Sequence, residues 1–245
     1  MIIKCISTGS KGNCYFLKSS ITNKILILDL GVNYNSIIGD KFLNNNINNI
    51  VGCLVTHEHK DHTQALKQMK MSGIKIIDYV NVKTRNIYKF ENFSVMAIPL
   101  FHDVDCYGYI IRDDSSGEML FYGTDTYKLP LIKGIDYWLV ECNYIDEILE
   151  KNLCDYQHAQ YQQVERLYRT HMSLENLYNY FEVNKELIKE PKQILTIHSS
   201  NSGHFNKDIV INKLSNICNN SYVVMNNKEY ILNKEICINE SNNKV

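Results

Sequence analysis

Short apolar runs separated by Gly, Ser and Asn dominate the first part of the chain, which is the pattern of β-strands joined by tight turns. One helix is predicted among them at Thr63–Met71, because Leu66 and Met69 fall on one helical face. The predicted strands are Ile2–Ser7, Cys14–Lys18, Lys24–Leu30, Ile50–Thr56, Phe93–Leu100, Tyr107–Arg112, Met119–Gly123 and Tyr137–Glu141.

The second part of the chain mixes helical periodicity with further strands. Ser173 is a predicted N-cap, because its hydroxyl can accept a hydrogen bond from the first helical turn. The Asn cluster Asn44–Asn49, broken only by Ile47, indicates a polar loop. Helices are predicted at Ile145–Asn152, Leu174–Phe181 and Lys207–Cys218.

The last predicted strands are Gln193–Ile197, Tyr222–Met225 and Glu229–Leu232, and the final two are expected to form a hairpin around Asn226-Asn227. The chain therefore contains two rounds of strands, each followed by helices. This order predicts an α/β fold in which two sheets pack face to face with helices outside, a four-layer αββα sandwich.

The length of 245 residues suits one domain, expected at residues 1–239, with Glu240–Val245 as a flexible tail. Hydrophobic residues make up 44% of the chain and charged residues 22%, as in ordinary globular proteins. The formal net charge of −1 gives no global attraction for nucleic acid. A local basic groove is compatible with that value, because net charge averages over all faces.

We expect a cytoplasmic protein with no membrane segment. The N-terminus has no apolar stretch before a cleavage site, and no run of about 18 apolar residues occurs. The cysteines are dispersed without a CxxC pair, which predicts reduced and mostly buried thiols. They are Cys5, Cys14, Cys53, Cys106, Cys142, Cys154, Cys218 and Cys237.

The strongest chemical signal is the segment Thr56-His57-Glu58-His59-Lys60-Asp61-His62, which has the form HxHxDH and directly follows an apolar strand. Imidazole and carboxylate are ligands that borderline divalent metals prefer. In an extended turn, residues two apart can point the same way, so His57 and His59 can share one ion. Asp61 and His62 begin the next element and can face a second ion.

This cluster resembles the signature of metallo-β-lactamase-fold hydrolases. The strand that ends in Asp29-x-Gly31 resembles an earlier motif of that family, and the resemblance implies that Asp29 orients the histidine cluster. Three further strand ends match family ligands: His102, Asp125 and His198. By resemblance, His102 completes the first ion with His57 and His59, Asp125 bridges, and His198 joins Asp61 and His62 on the second ion.

The implied cofactors are two divalent metal ions. Zinc and manganese suit this ligand set best, and iron is a further candidate.

Finer features resemble the YycJ (WalJ) group and, beyond it, ribonuclease Z-like phosphodiesterases. They are the Gly/Ser-rich first loop Ser7–Cys14, the segment Glu141–Tyr144 and the segment Arg169–Ser173, in which Thr170 stands where relatives usually have Gly. The resemblance implies that His171 is a proton donor or phosphate contact and that Glu141 orients it.

The first loop is itself a candidate phosphate cradle made of backbone N–H groups. Its residues are Gly9, Ser10, Gly12 and Asn13. His158 and His204 match no motif, and we expect both at the surface.

Three functions stay open. The resemblance implies a phosphodiesterase, and within that class a nuclease with exonuclease action on DNA, in which a metal-bridging hydroxide attacks phosphorus. The second keeps the metals and assigns a small substrate, such as a cyclic nucleotide, a β-lactam or a thioester. The third is a metal-binding regulator without turnover. The expected partner is therefore a nucleic acid or nucleotide phosphodiester, and the oligomeric state stays open.

Overall fold

Two β-sheets stack face to face in the computed structural model, which describes residues 1–43, 46–153, 158–200 and 202–232. The strands, numbered in chain order, are β1 (Ile2–Ser7), β2 (Cys14–Lys18), β3 (Ile25–Leu28), β4 (Ile50–Leu54), β5 (Ile76–Ile77), β6 (Ile87–Phe90), β7 (Phe93–Leu100), β8 (Cys106–Asp113), β9 (Met119–Gly123), β10 (Tyr137–Glu141), β11 (Gln193–Ile197), β12 (Ser221–Val223) and β13 (Glu229–Ile231).

The first sheet has the strand order β13-β1-β2-β3-β4-β5, and the second has the order β12-β11-β10-β9-β8-β7-β6. Both are mixed. In the first sheet β3, β4 and β5 run parallel, and in the second the strands from β9 to β12 run parallel. Parallel neighbours end at the same edge of a sheet, so side chains that follow these strands are brought together.

Helices cover the outer faces of both sheets. They are α1 (Tyr34–Ile38), α2 (Lys60–Thr63), α3 (Leu66–Met71), α4 (Asp146–Leu153), α5 (His158–Thr170), α6 (Leu174–Asn184) and α7 (Lys207–Leu214). Ile37 and Met69 pack α1 and α3 against the first sheet. Phe181 of α6 meets the buried Trp138 of β10 at 5.1 Å between ring centroids. A third apolar cluster lies between the sheets. The two stacked sheets with helices on their outer faces confirm the predicted αββα sandwich.

The predicted terminal hairpin is wrong, because its two strands belong to different sheets. β12 pairs in parallel with β11, whereas β13 pairs antiparallel with β1 and places Tyr230 opposite Ile3. Tyr230 is thereby buried in the cluster between the sheets. β12 hydrogen-bonds to the preceding strand of the second sheet and β13 to the first strand of the chain, so the Asn226-Asn227 turn carries the chain from one sheet to the other.

Local differences concern helices and one histidine. The helix predicted at Thr63–Met71 is divided into α2 and α3, and α2 begins early enough to include Asp61 and His62. α5 is a further helix, which was not predicted from the sequence. The surface position expected for His204 is wrong: the residue is only 7% exposed, its carbonyl oxygen accepts from the Ile145 amide, and its ring Nδ1 lies 3.1 Å from the side-chain nitrogen of Asn152.

Several expectations fall wholly or partly outside the described residues. The side chain of His158, the cysteines Cys154 and Cys237, the tail 240–245 and part of the Asn cluster belong to this group. The other six cysteines are buried and free. No helix in the described part of the chain is long and apolar enough to span a membrane.

Candidate metal centre

The predicted ligands converge at one edge of the sandwich because they follow strand ends of both sheets. In the first sheet, His57 comes shortly after β4, and α2 then presents Asp61 and His62. In the second sheet, His102 follows β7, Asp125 follows β9 and His198 follows β11. The structure therefore brings together all seven residues that the sequence assigned to metal ligation.

The first group of candidate ligands consists of His57, His59 and His102, whose ring nitrogens lie within 4.8 Å of one another. His59 Nδ1 is 3.3 Å from His102 Nε2. The Nδ1 of His102 lies 3.1 Å from the carbonyl oxygen of Thr170 and donates to it, which leaves the Nε2 lone pair available to a metal ion. The Nε2 of His57 is buried without a hydrogen-bond partner among the described residues.

The second group consists of Asp61, His62 and His198. Asp61 Oδ2 lies 3.4 Å from His62 Nε2 and 3.7 Å from His198 Nε2. Asp125 stands between the groups, since its Oδ2 is 3.2 Å from His62 Nε2 and it also clusters with His57.

This donor set fits divalent metal ions. A buried polar atom without a hydrogen bond is destabilising, yet the Nε2 atoms of both His57 and His198 lack a hydrogen-bond partner in the described structure. Each of these nitrogens lies next to a carboxylate or another imidazole. Nitrogen and oxygen donors at these spacings match the preferences of zinc, manganese and iron.

Asp29 holds the histidine cluster in place through hydrogen bonds. It is fully buried, and its carboxylate accepts hydrogen bonds from the Thr56 amide at 2.8 Å and the Tyr122 hydroxyl at 2.5 Å. It also lies 2.7 Å from His62 Nδ1. Because Nδ1 donates to Asp29, the His62 ring presents Nε2 to the second group.

Three residues of the site have left-handed backbone conformations that side chains other than Gly rarely adopt. Their φ values are 58° for Asp29, 52° for Asp125 and 55° for His198. Asp29 and His198 directly follow a strand end, and Asp125 comes two residues after one, so all three lie where the chain turns at the sheet edge. Such conformations are unfavourable by about 1–3 kcal/mol each and persist where surrounding structure enforces them.

Burial and neighbouring charges set the protonation of the cluster. Burial, reinforced by His62, holds the pKa of His57 well below its usual value. Burial opposes charge on His198, but Asp125 and other carboxylates outweigh it and raise the pKa to about 10. Burial likewise opposes charge on Asp125, but His198 and His62 hold its pKa well below the ordinary value. Asp125 is therefore an ionised carboxylate at neutral pH.

Beside the ligand groups, His171 and Glu141 form a close pair. His171 Nδ1 lies 2.6 Å from Glu141 Oε1, and the imidazole is 17% exposed, whereas the carboxylate is buried. Glu141 Oε1 is also 2.8 Å from His198 Nδ1. Burial lowers the pKa of His171, but the Glu141 charge and hydrogen bond outweigh it, and the net pKa is raised.

The loop Gly9–Asn13 borders the site differently from the expected cradle. The amides of Gly9, Gly12 and Asn13 donate to Asn13 Oδ1, Gly9 O and Asp61 O, so these three N–H groups are already occupied. What approaches the ligands is the side chain of Asn13, whose Nδ2 lies 3.0 Å from His62 Nε2. Ser10 lies at the exposed tip of the loop.

Two contacts at the site were missed by sequence reasoning. The carbonyl of Thr170, at the end of α5, orients His102, and Asp103 Oδ1 lies 3.0 Å from His102 Nε2. Arg166 of α5 binds the other oxygen of Asp103 at 2.8 Å. The position of Asp103 directly after His102 was the available signal, but its partner could not be found without knowing that α5 lies there.

The structure of this chain is similar to structures of known proteins. No protein-family model matches the chain. The structure of YhfI from Bacillus subtilis, a metallo-β-lactamase-fold protein, superposes with a TM-score of 0.65 over 94% of this chain and 98% of that one, at 14% identity. The chain has the metallo-β-lactamase fold. Human tRNase Z, short form, shares it with a TM-score of 0.58 over 95% and 99% of the two chains, at 12% identity.

Among curated proteins, the chain is similar to exodeoxyribonuclease YycJ of Bacillus anthracis, with 28% identity over 145 residues. That alignment spans 54% of this chain and 53% of the relative, so the chain matches about half of the length of the relative. These matches confirm the fold and the family resemblance expected from the sequence. The curated relative is named an exodeoxyribonuclease, which belongs to the enzyme class predicted from the sequence.

Proposed function

We propose that this chain is a metal-dependent hydrolase of phosphodiesters, acting on nucleic acid with two divalent ions. The observation that carries the proposal is the His171–Glu141 pair, which lies directly beside the ligands Asp125 and His198. A positioned proton donor is needed where the leaving group is an alkoxide, as in nucleic acids. The similarity to an exodeoxyribonuclease supports the same class of substrate.

The ions would be zinc or manganese, with iron as a further candidate, and would supply charge neutralisation and a nucleophile at neutral pH when bound. Asp29 would orient His62, and Asp125 would lie between the two ions. The first ion would be held by His57, His59 and His102, and the second by Asp61, His62 and His198.

The chain's own residues then divide the remaining work. His171 Nδ1 is engaged by Glu141, so its Nε2 would give the proton to the leaving oxygen. Glu141 is positioned by the amides of Thr126 and Met172, at 3.0 Å and 3.2 Å, and so holds the imidazole in place. Asn13 is fully buried, and its side-chain amide donates to Gly9 O at 3.1 Å and lies 3.0 Å from His62 Nε2, so it would hold the first loop against the metal centre. These roles fit phosphodiester cleavage better than a metal-binding regulator, which has no use for a proton donor.

The direct test compares substrates on protein stripped by a chelator and reloaded with zinc or manganese. We expect the reloaded protein to hydrolyse bis(p-nitrophenyl) phosphate and single-stranded DNA, with no turnover of a β-lactam. A cyclic nucleotide measured in parallel separates a small-molecule phosphodiesterase from a nuclease. Failure of the reloaded protein to cleave any phosphodiester would refute the proposed function.

Asp61→Asn tests the second ion, because it removes a charge 3.4 Å from His62 Nε2 without changing side-chain size. We expect metal content to fall by about one ion per chain and turnover to disappear, while the circular dichroism spectrum is retained. Asp208→Asn, an exposed change at the start of α7, is the matched control. Full activity in Asp61→Asn would contradict a two-metal mechanism.

A further inference from the structure

A groove of about 1030 Å³ runs along the outer face of the first sheet. Ile3 and Cys5 of β1 point into the core between the sheets, so their neighbours Ile2 and Lys4 face the opposite side and line the groove. α1 covers one side of this face. The groove is therefore a surface separate from the ligand cluster, and nothing in the site described above uses it.

The charge of the groove differs from that of the whole chain. Four lysines line it, against the two carboxylates Asp40 and Glu229, although the chain carries a formal net charge of −1. Glu229 offsets only Lys4, at 3.8 Å. Lys11 and Lys41 are exposed, and neither has an ion pair within the described ranges. The lining lysines are Lys4, Lys11, Lys18 and Lys41.

An aromatic ring lies among these lysines. Phe42 is half-buried in the groove wall, stacked on the buried Phe16 with ring centroids 6.0 Å apart. The Nζ of Lys18 lies 5.3 Å from the centroid of the Phe42 ring. Lysines that can follow a phosphate backbone, combined with an aromatic face on which a base can stack, are typical of surfaces that bind single-stranded nucleic acid.

Two residues that line the groove lie close in sequence to residues of the candidate metal centre. Lys11 precedes Asn13 by two residues, and the Asn13 amide lies 3.0 Å from His62 Nε2. Gln64, on the other side, follows His62 by two residues. From Ile6 to Ile2 the face of β1 then extends about 13 Å away from this end, at about 3.3 Å per residue.

We infer that this groove binds the sugar–phosphate backbone of a single-stranded nucleic acid whose reacting end lies at the metal centre. The inference rests on the proposed function and narrows its substrate to a polynucleotide. A cyclic nucleotide would bind at the metal centre only, because it is too small to reach Lys41 and Phe42 as well.

The first experiment measures binding of a fluorescent single-stranded DNA with phosphorothioate linkages to metal-loaded protein at several salt concentrations. Lys11→Glu combined with Lys41→Glu should weaken binding by about tenfold at low salt. It should also reduce the slope of log K against log salt by about 1.4, which corresponds to two lost phosphate contacts. Lys133→Glu combined with Lys185→Glu, exposed lysines outside the groove, is the matched control. Equal behaviour of the two double variants would overturn the inference.

A second experiment needs no variant and so does not depend on how the changed protein folds. Lysine acetylation of the native metal-loaded protein is compared by mass spectrometry with and without the DNA. Protection of Lys11 and Lys41, but not of Lys133 and Lys185, is expected, and uniform labelling would overturn the inference. Both readouts measure binding. Loss of ester hydrolysis would count against the proposed function, whereas unprotected groove lysines in an active protein would count against the groove alone.

Discussion

Replacement of His171 by alanine removes a side chain that is 17% exposed and held through Nδ1 by Glu141 at 2.6 Å. The loss of this charge-assisted hydrogen bond should reduce stability by about 1.5–3 kcal/mol. The carboxylate stays partnered, so the fold and the nearby ligands should be retained. Its remaining donors are the amides of Thr126 and Met172, His198 Nδ1 and the Asn143 side chain.

The kinetic effect of His171→Ala should depend on the leaving group. Loss of a general acid lowers the rate by about a hundredfold to ten-thousandfold, which corresponds to about 3–5 kcal/mol of transition-state stabilisation. We expect a decrease in that range for kcat/KM on single-stranded DNA. An activated p-nitrophenyl diester leaves without protonation, so its rate should fall far less. The ratio of the two rates is the measurement.

Two controls separate proton donation from other roles of His171. His171→Gln retains an amide that can donate to Glu141 but supplies no acid, so it should resemble the alanine variant in rate and the native protein in stability. Metal content should be unchanged in both variants, because His171 is not among the proposed ligands. Equal loss on both substrates, or loss of metal, would refute the assignment of His171 as the proton donor.

Two further predictions concern stability and the metal centre. Burial and the nearby Glu175 raise the pKa of Asp146 from 3.8 to about 6, so the stability linked to its proton is complete below pH 3.8 and is lost as pH rises through 6. The increase in Tm caused by Asp146→Asn should therefore be larger at pH 8 than at pH 5. After a discount for partial exposure, the difference should be about 1 kcal/mol, or about 2–4 °C in Tm. An equal change in Tm at both pH values would contradict this. A Cβ at Gly31 would lie 1.6 Å from the Asp61 carbonyl oxygen, so Gly31→Ala should displace α2 and reduce metal content, measured by elemental analysis. Gly117→Ala is the control: its Cβ meets no atom, but its φ of 76° should lower stability by about 1 kcal/mol while metal content stays unchanged.

The convergence of the candidate ligands was predictable because each of them is marked by local sequence. A buried strand that ends in a polar residue leaves a strong signal, and His102, Asp125 and His198 all follow such strands. Parallel pairing then places strand ends at a common edge, so the convergence follows from the order of elements. The N-cap Ser173 was predictable for the same local reason, and its hydroxyl accepts a hydrogen bond from the Asn176 amide.

What could not be predicted depends on contacts between distant segments. The turn at Asn226-Asn227 has the sequence of a hairpin, but the partner of β13 is β1, more than two hundred residues away. The contact of His102 with the Thr170 carbonyl requires the position of α5. The loop Gly9–Asn13 has the composition of a phosphate cradle, but two of its amides are occupied within the loop and the amide of Asn13 donates to the distant Asp61 carbonyl.

Each group of candidate ligands contains residues from both sheets. His57 and His59 of the first sheet meet His102 of the second, and Asp61 and His62 of the first meet His198 of the second. Bound ions would consequently act as cross-links between the two halves of the sandwich. An ion at a hundred times its dissociation constant adds about 2.7 kcal/mol to the free energy of unfolding, provided that the unfolded chain does not bind it. Chelation would then loosen the junction between the halves first, so that proteolytic resistance and catalysis would be lost through the same event.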